Sequence, residues 1–295
     1  MRAREADRTG VALSGDIEIG YEVTGDGGTT ILLMPTWTIV HSRVWKMQVP
    51  HLARHFRVVT YDGPGNGRSD RTVDVEPYRD DAQAAHALAV MDATGTDRAV
   101  LVSLSKGARW SLRLAANHPH RVVGQVFIGA SLPLTPQAPD RAMVARRFLE
   151  RLDRYEGWDK YNAHHWKADL ADFAEFFFSQ CFSEPHSTKP REDCVGWAME
   201  TTADILRAES ATDSIDRDVV LAWCRGVDTP VLVIHGSDDR VSPVSRGEAL
   251  AKATGGNLAI LSDSGHVPLA RDPVKVNRLI ENFVREIASR SEARA

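Results

Sequence analysis

The chain has 295 residues, 43% of them hydrophobic and 26% charged, a composition that suits one large globular α/β domain carrying an insertion. Lys and Arg total 36 against 40 Asp and Glu; the net charge of −4 offers no basic footprint for nucleic acid or an anionic membrane, and the expected partner is a small-molecule substrate. No stretch approaches the ~20 apolar residues of a membrane span, and the charged run Met1–Gly10 lacks the apolar centre of a signal peptide, so a cytoplasmic location is expected.

Val11–Val23 alternates loosely around a break at Ser14-Gly15-Asp16, and Gly25-Asp26-Gly27-Gly28 makes a second turn before the apolar run Ile31–Met34. These segments predict three strands joined by hairpins. Pro35-Thr36-Trp37 follows, then a helical spacing over Trp45–Ala53 and a strand over Phe56–Tyr61 that ends in the glycine-rich loop Asp62–Asp70. The spacing next predicts a helix over Ala82–Met91, a strand over Arg98–Leu104, a helix over Lys106–Asn117 and a strand over Val122–Ile128. Such alternation predicts a mostly parallel sheet covered by helices. From Ser131 to Asp216 the alternation stops and the chain becomes helical and rich in aromatics. It resumes with a strand over Pro230–Gly236, a helix over Arg246–Thr254, a last strand over Leu258–Leu261 and an amphipathic helix over Val274–Ile287. Cys181, Cys194 and Cys224 show no Cys-x-x-Cys pairing and read as buried free thiols.

One junction carries chemistry. The apolar strand Val100–Leu104 runs into Ser103-Leu104-Ser105-Lys106-Gly107 and straight on into a helix. A tight strand-to-helix turn needs small neighbours, here Ser103 and Gly107, and it lifts the central side chain above the sheet beside the free N–H groups of a helix start. The string alone fits an ordinary βα turn equally well. With its surroundings it resembles the nucleophile elbow of the α/β-hydrolase superfamily, Gly-x-Ser-x-Gly, with Ser103 in place of the first glycine. Two later loops also match patterns of that family: His235-Gly236-Ser237-Asp238-Asp239 after one strand, and Gly265-His266-Val267-Pro268 after the last.

The resemblance implies a serine esterase or lipase-like fold: an eight-stranded, mostly parallel sheet flanked by helices, with a helical cap inserted after strand 6. The core then spans residues 1–130 and 217–295, and the cap 131–216. It also implies a triad in the chain order serine, acid, histidine. A serine hydroxyl is a weak nucleophile, so His266 takes its proton, and Asp239 orients the imidazole. Asp239 stands third after the glycine, where the family has its acid; Asp238 and Asp263 are the weaker candidates. The oxyanion hole implied by the resemblance uses the backbone N–H of Lys106, which follows the nucleophile, and of Trp37. Here Pro35-Thr36-Trp37 replaces the family's His-Gly-x, a stiffer residue standing where glycine is usual. Asp62–Asp70 resembles the family's Asp-x-Arg-Gly-x-Gly-x-Ser loop, has no phosphate-binding spacing, and reads as structural.

Substrate contacts are expected among cap aromatics such as Trp158, Trp166 and Phe177, most of the others packing the cap onto the core. Lys106 either faces solvent or binds a substrate carboxylate. The adjacent His164 and His165 point in different directions on a helix and do not make a metal site, and no metal or organic cofactor is required. The function that follows is hydrolysis of a carboxylic ester or lactone with a hydrophobic body. The same fold and triad also serve carbon–carbon bond hydrolases, acyltransferases and perhydrolases, and a hydrolase-like receptor without turnover stays open. A homodimer through the cap or an edge strand is compatible with the sequence.

Overall fold

A computed structural model describes residues 4–212 and 214–292. Its centre is an eight-stranded sheet of β1 (Arg8–Ser14), β2 (Ile17–Thr24), β3 (Thr30–Leu33), β4 (Arg57–Tyr61), β5 (Ala99–Leu104), β6 (Val122–Ile128), β7 (Val231–Gly236) and β8 (Asn257–Leu261). The order across the sheet is β1-β2-β4-β3-β5-β6-β7-β8, antiparallel at β1/β2 and β2/β4 and parallel from β4 onward.

The helices are α1 (Val49–Leu52), α2 (Asp80–Ala93), α3 (Gly107–Asn117), α4 (Pro139–Arg147), α5 (Ala163–Ala168), α6 (Leu170–Cys181), α7 (Thr188–Ala198), α8 (Ala203–Ser210), α9 (Arg217–Arg225), α10 (Val244–Thr254), α11 (Pro268–Arg271) and α12 (Pro273–Glu292). None among the described residues is long and apolar enough to cross a membrane.

Side-chain alternation explains the layering. Val100, Val102 and Leu104 of β5 share a cluster with Val126, Ile128, Ile234 and, on α12, Val276, Ile280 and Val284. Ala99 and Leu101 face the other way, onto Ala87 and Met91 of α2 and Trp110 and Leu114 of α3. All six residues of β5 are buried. Each fully buried Val, Leu or Ile side chain contributes about 1.5–3 kcal/mol, so the strand that leads into Ser105 is firmly held.

Two expectations about the first sixty residues are corrected. Only β1 and β2 form a hairpin; β4 separates β2 from β3. β3 is almost wholly apolar and takes an interior place with a parallel neighbour on each side, and its link from β2 is a close approach instead of a hairpin. A Cβ on Gly25 (φ +80°) would lie 2.5 Å from the Phe56 carbonyl oxygen. The helix expected over Trp45–Ala53 is split into a 3₁₀ turn, Ser42–Trp45, and the single turn α1, because Pro50 is tolerated only in a helix's first turn.

Between β6 and α9 the described residues form helices α4 to α8 with no strand. Trp166, Phe173, Phe177, Phe178 and Leu206 from this stretch join Ile39, Val44 and Leu104 in a single core cluster, so these helices are seated on the end of the sheet where β5 stops.

Candidate active site

β5 ends in Leu104, and the next residue, Ser105, adopts φ +53°, a left-handed conformation for a side-chain-bearing residue. α3 begins two residues later. The turn is clamped on both sides, by Ser105 N–H donating to the Ile128 carbonyl (2.9 Å) and Ser131 N–H donating to the Ser105 carbonyl (3.1 Å). A Cβ on Gly107 would sit 2.2 Å from the Pro35 carbonyl oxygen, so glycine is needed where the 35–37 loop crosses the helix start. Ser103, in the place of the family's first glycine, is fully buried and turns its hydroxyl to the Val126 carbonyl at 3.3 Å.

Two loops at the same end of the sheet bring up the partners. His266, after β8, is fixed by its N–H donating to the Cys181 carbonyl (2.8 Å) and packs on Gly129 (φ +52°), where a Cβ would lie 2.9 Å from the His266 carbonyl oxygen. Its Nδ1 is 2.7 Å from Asp239 Oδ2 and its Nε2 is 2.9 Å from Ser105 Oγ. Asp239, after β7, accepts the Val241 and Ser242 N–H groups on Oδ1, both at 2.8 Å, and has His235 Nε2 at 3.2 Å from Oδ2. Burial works to raise its pKa, yet His266 and His235 outweigh that and hold it well below the usual carboxylate range. An ionised carboxylate only accepts, so Nδ1 of His266 carries the proton and Nε2 is left to accept from the Ser105 hydroxyl. Asp238 is exposed and pairs with Arg240, and Asp263 is exposed with its N–H on Ser237; neither reaches His266.

The loop with the unusual sequence is braced from three directions. Trp45 Nε1 donates to the Met34 carbonyl (3.0 Å), and Asn66 Nδ2 donates to the Thr38 carbonyl (2.7 Å). The Thr38 N–H donates to Glu209 Oε2 (3.0 Å). Asn66 belongs to the Asp62–Asp70 loop, whose own turn is held by Asp62 accepting the Ser42 and Arg68 N–H groups at 2.9 Å. Thr36 is therefore buried in a loop fixed by its neighbours, where a glycine would bring flexibility. The backbone N–H groups of Trp37 and Lys106 donate to no described residue. Lys106 Nζ donates to Glu209 Oε1 at 2.7 Å, with its side chain about a quarter exposed.

Two cavities meet at Ser105. The larger, about 320 Å³, is lined by Trp37, Ser105, Lys106, Arg141, Tyr161 and Glu209 among others. A small apolar one of about 40 Å³ lies toward Leu104, Phe178, Cys181 and His266, and Trp37 and Phe177 border both.

The sequence profile of the alpha/beta hydrolase fold family matches residues 29–273. The chain belongs to the alpha/beta hydrolase family. It is 41% identical over 253 residues to a Caulobacter sp. (strain K31) protein named "Putative carbamate hydrolase RutD", covering 81% of this chain and 85% of that one. It is 28% identical over 248 residues to the 2-hydroxy-6-oxo-2,4-heptadienoate hydrolase of Pseudomonas putida (strain F1), covering 79% and 80%. Among solved structures, the esterase RhEst1 from Rhodococcus sp. ECU1013 superposes with a TM-score of 0.77 over 95% of this chain and 98% of that one, at 24% identity, which reflects a shared fold.

In this alpha/beta hydrolase only Phe177 of the three aromatics expected against substrate borders the cavities. Trp166 is fully buried behind the wall, its ring 4.9 Å from Tyr161, 5.0 Å from Phe148 and 5.7 Å from Trp37. Trp158 meets Phe176 edge-on at 5.2 Å and lies against Arg141. Both support residues that do line the cavity. His165 Nε2 is 2.9 Å from Asp172 and its ring stacks on Tyr155, while His164 Nε2 is 3.1 Å from the Leu149 carbonyl, so both are absorbed in packing. Sequence reasoning missed Glu209 and Arg141. Glu209 shares the buried side of α8 with Ile205, four residues away, and a charge on an apolar helix face was the available signal. Nothing separates Arg141 from Arg146 and Arg147 on the same helix.

Proposed function

We propose that this chain is a serine hydrolase that cleaves a carboxylic ester or lactone of a hydrophobic small molecule through an acyl-enzyme on Ser105. The hydrogen-bond line from Ser105 through His266 to Asp239 carries the reading. Ser105 Oγ attacks the carbonyl carbon while its proton passes to His266 Nε2. The oxyanion so formed is stabilised by the Trp37 and Lys106 N–H groups, which the fold leaves without another acceptor among the described residues. The ester C–O bond then breaks and His266 returns the proton to the departing alcohol. Water repeats the cycle on the acyl-enzyme, giving the acid and the free serine. The two cavities supply an apolar compartment on one side of the serine and a larger, mixed one on the other.

The decisive experiment is labelling by a fluorophosphonate probe together with p-nitrophenyl ester turnover. Wild type is expected to react with both, and Ser105→Ala to lose labelling and about 10⁴- to 10⁶-fold in kcat while staying folded. Turnover by Ser105→Ala within tenfold of wild type sinks the assignment.

A second reading keeps the same three residues and changes the bond. The Pseudomonas relative is named as a hydrolase of 2-hydroxy-6-oxo-2,4-heptadienoate and the Caulobacter relative as a putative carbamate hydrolase, each matching about four fifths of this chain, and the first name favours a carbon–carbon bond as the one cleaved in this second reading. Labelled enzyme that fails on a panel of esters and lactones but turns over one of those classes selects it. A cytoplasmic location belongs to the proposal, supported by three buried thiols that are unpaired, as a reducing compartment keeps them.

A further inference from the structure

The larger cavity is lined by three cationic side chains, and two of them are already neutralised. Lys106 pairs with the fully buried Glu209. Arg109 pairs with Asp80. Arg141, on α4, has no ion pair or hydrogen bond with any described residue, and its Nε is buried without a partner. Its guanidinium carbon lies 4.3 Å from the ring centre of Trp158 and 5.2 Å from that of Tyr161. These rings hold the face of the guanidinium and leave its in-plane N–H groups pointing away from them, with no acceptor among the described residues. Burial lowers the pKa of the group from its ordinary value, but an arginine stays a cation at neutral pH. A buried cation, Arg246, donates over 3.4 Å to the Thr135 carbonyl and repels Arg141 instead of satisfying it.

A half-buried cation whose Nε–H is shut off from solvent without an acceptor is favoured by an anion that completes it. We propose that Arg141 is the anchor for a carboxylate carried by the substrate, so that the preferred ester or lactone is a monoanion whose charged end lies in the larger cavity. The inference rests on the acyl-transfer reading of Ser105, which lines the same cavity. A planar fork of N–H donors fits a carboxylate through two parallel bonds. With the other two cations neutralised, the described residues leave the cavity one uncompensated positive charge, which suits a carboxylate better than a phosphate dianion. The carboxylate can belong to the acyl part or to the leaving alcohol, and both present the same group to Arg141.

Two matched pairs of substrates separate these sources. Mono(4-nitrophenyl) glutarate against 4-nitrophenyl pentanoate places the charge on the acyl side, and 4-acetoxybenzoate against 4-methylphenyl acetate places it on the alcohol side. Wild type is expected to favour the charged member of at least one pair in kcat/KM. Arg141→Met is expected to reduce that charged-to-neutral ratio about 10- to 100-fold, the worth of a charge-assisted pair, with Arg141→Lys in between. A wild-type preference for the neutral member of both pairs, or a ratio moved less than threefold by Arg141→Met, overturns the anchor, whereas the hydrolase reading survives if the fluorophosphonate still labels. If no ester is cleaved and nothing is labelled, the hydrolase reading fails, and binding of glutarate and benzoate to Ser105→Ala, followed by tryptophan fluorescence, tests the anchor by itself. Binding that disappears on adding Arg141→Met sustains it, and no binding refutes it. Because the wild-type preference is read without any substitution at Arg141, a variant that fails to fold does not leave the question open.

Discussion

Two buried carboxylates serve the surroundings of Ser105, Asp239 from the loop after β7 and Glu209 from α8, and they are held in different ways. Asp239 is fastened by its own loop, with two N–H groups two and three residues further on, before it meets His266. Glu209 binds across 103 and 171 residues of sequence, to Lys106 and to the Thr38 N–H. The first therefore keeps its place without helices α4 to α8, and the second exists only when they are seated. Asp239 orients a base, while Glu209 joins Lys106, one of the proposed oxyanion donors, to Thr38, the neighbour of the other.

The contrast can be broken by substitution, beginning with the largest effect. Asp239→Asn should retain the fold but lower kcat about 10⁴-fold, because the wrong tautomer of His266 is then held, while Asp238→Asn should stay within a few-fold of wild type. Steady-state kinetics on a p-nitrophenyl ester reads both, and the reverse order would transfer the role to Asp238. Glu209→Ala should act mainly on stability, losing about 2 kcal/mol in urea unfolding; removal of one partner from a buried pair costs more, but Lys106 retains some solvent. If Glu209→Ala matched Asp239→Asn in kcat with no loss of stability, the two carboxylates would not differ in kind.

Acid provides the smallest effect and separates a third group from both. His86 is buried against Ser14 Oγ and the Pro77 carbonyl, and burial lowers its pKa from 6.5. Between that lowered value and 6.5 the unfolded chain binds a proton that the fold does not, so stability falls as pH drops through this window. The Asp239 contribution has the opposite origin: it is intact above about 3.8, the ordinary value, and is lost only as pH falls toward its depressed native pKa. Urea midpoints at pH 7.5, 5.5 and 4.5 should show the His86 step together with that of His41, whose pKa burial also lowers; His86→Gln should remove the His86 share, and a wild-type midpoint flat down to pH 4.5 would contradict it.

What the sequence makes legible is what is local. Ser105, Asp239 and His266 each sit at a strand end with recognisable neighbours, and the apolar runs of β5, β6 and β7 mark buried parallel strands directly. β3 and β4 are each readable as strands, but their order in the sheet is a long-range fact that no turn between them records. Glu209 and Arg141 act through residues far away in the chain, so only the folded arrangement distinguishes them from ordinary helix-surface charges. Trp158 and Trp166 show the same limit from the other side: aromatic content announces a packed region, and which rings touch a cavity depends on how the helices are rotated.

The left-handed backbone at Ser105 has a thermodynamic meaning apart from its geometry. A serine at φ +53° is destabilised by roughly 1–3 kcal/mol relative to an unstrained residue, and glycine would relieve most of that. Ser105→Gly should thus be inert yet melt a few degrees higher, if the added freedom of its unfolded chain does not cancel the gain. Selection for durability alone would favour glycine at this position; a fold that keeps serine there carries a standing loss of stability for the sake of one hydroxyl.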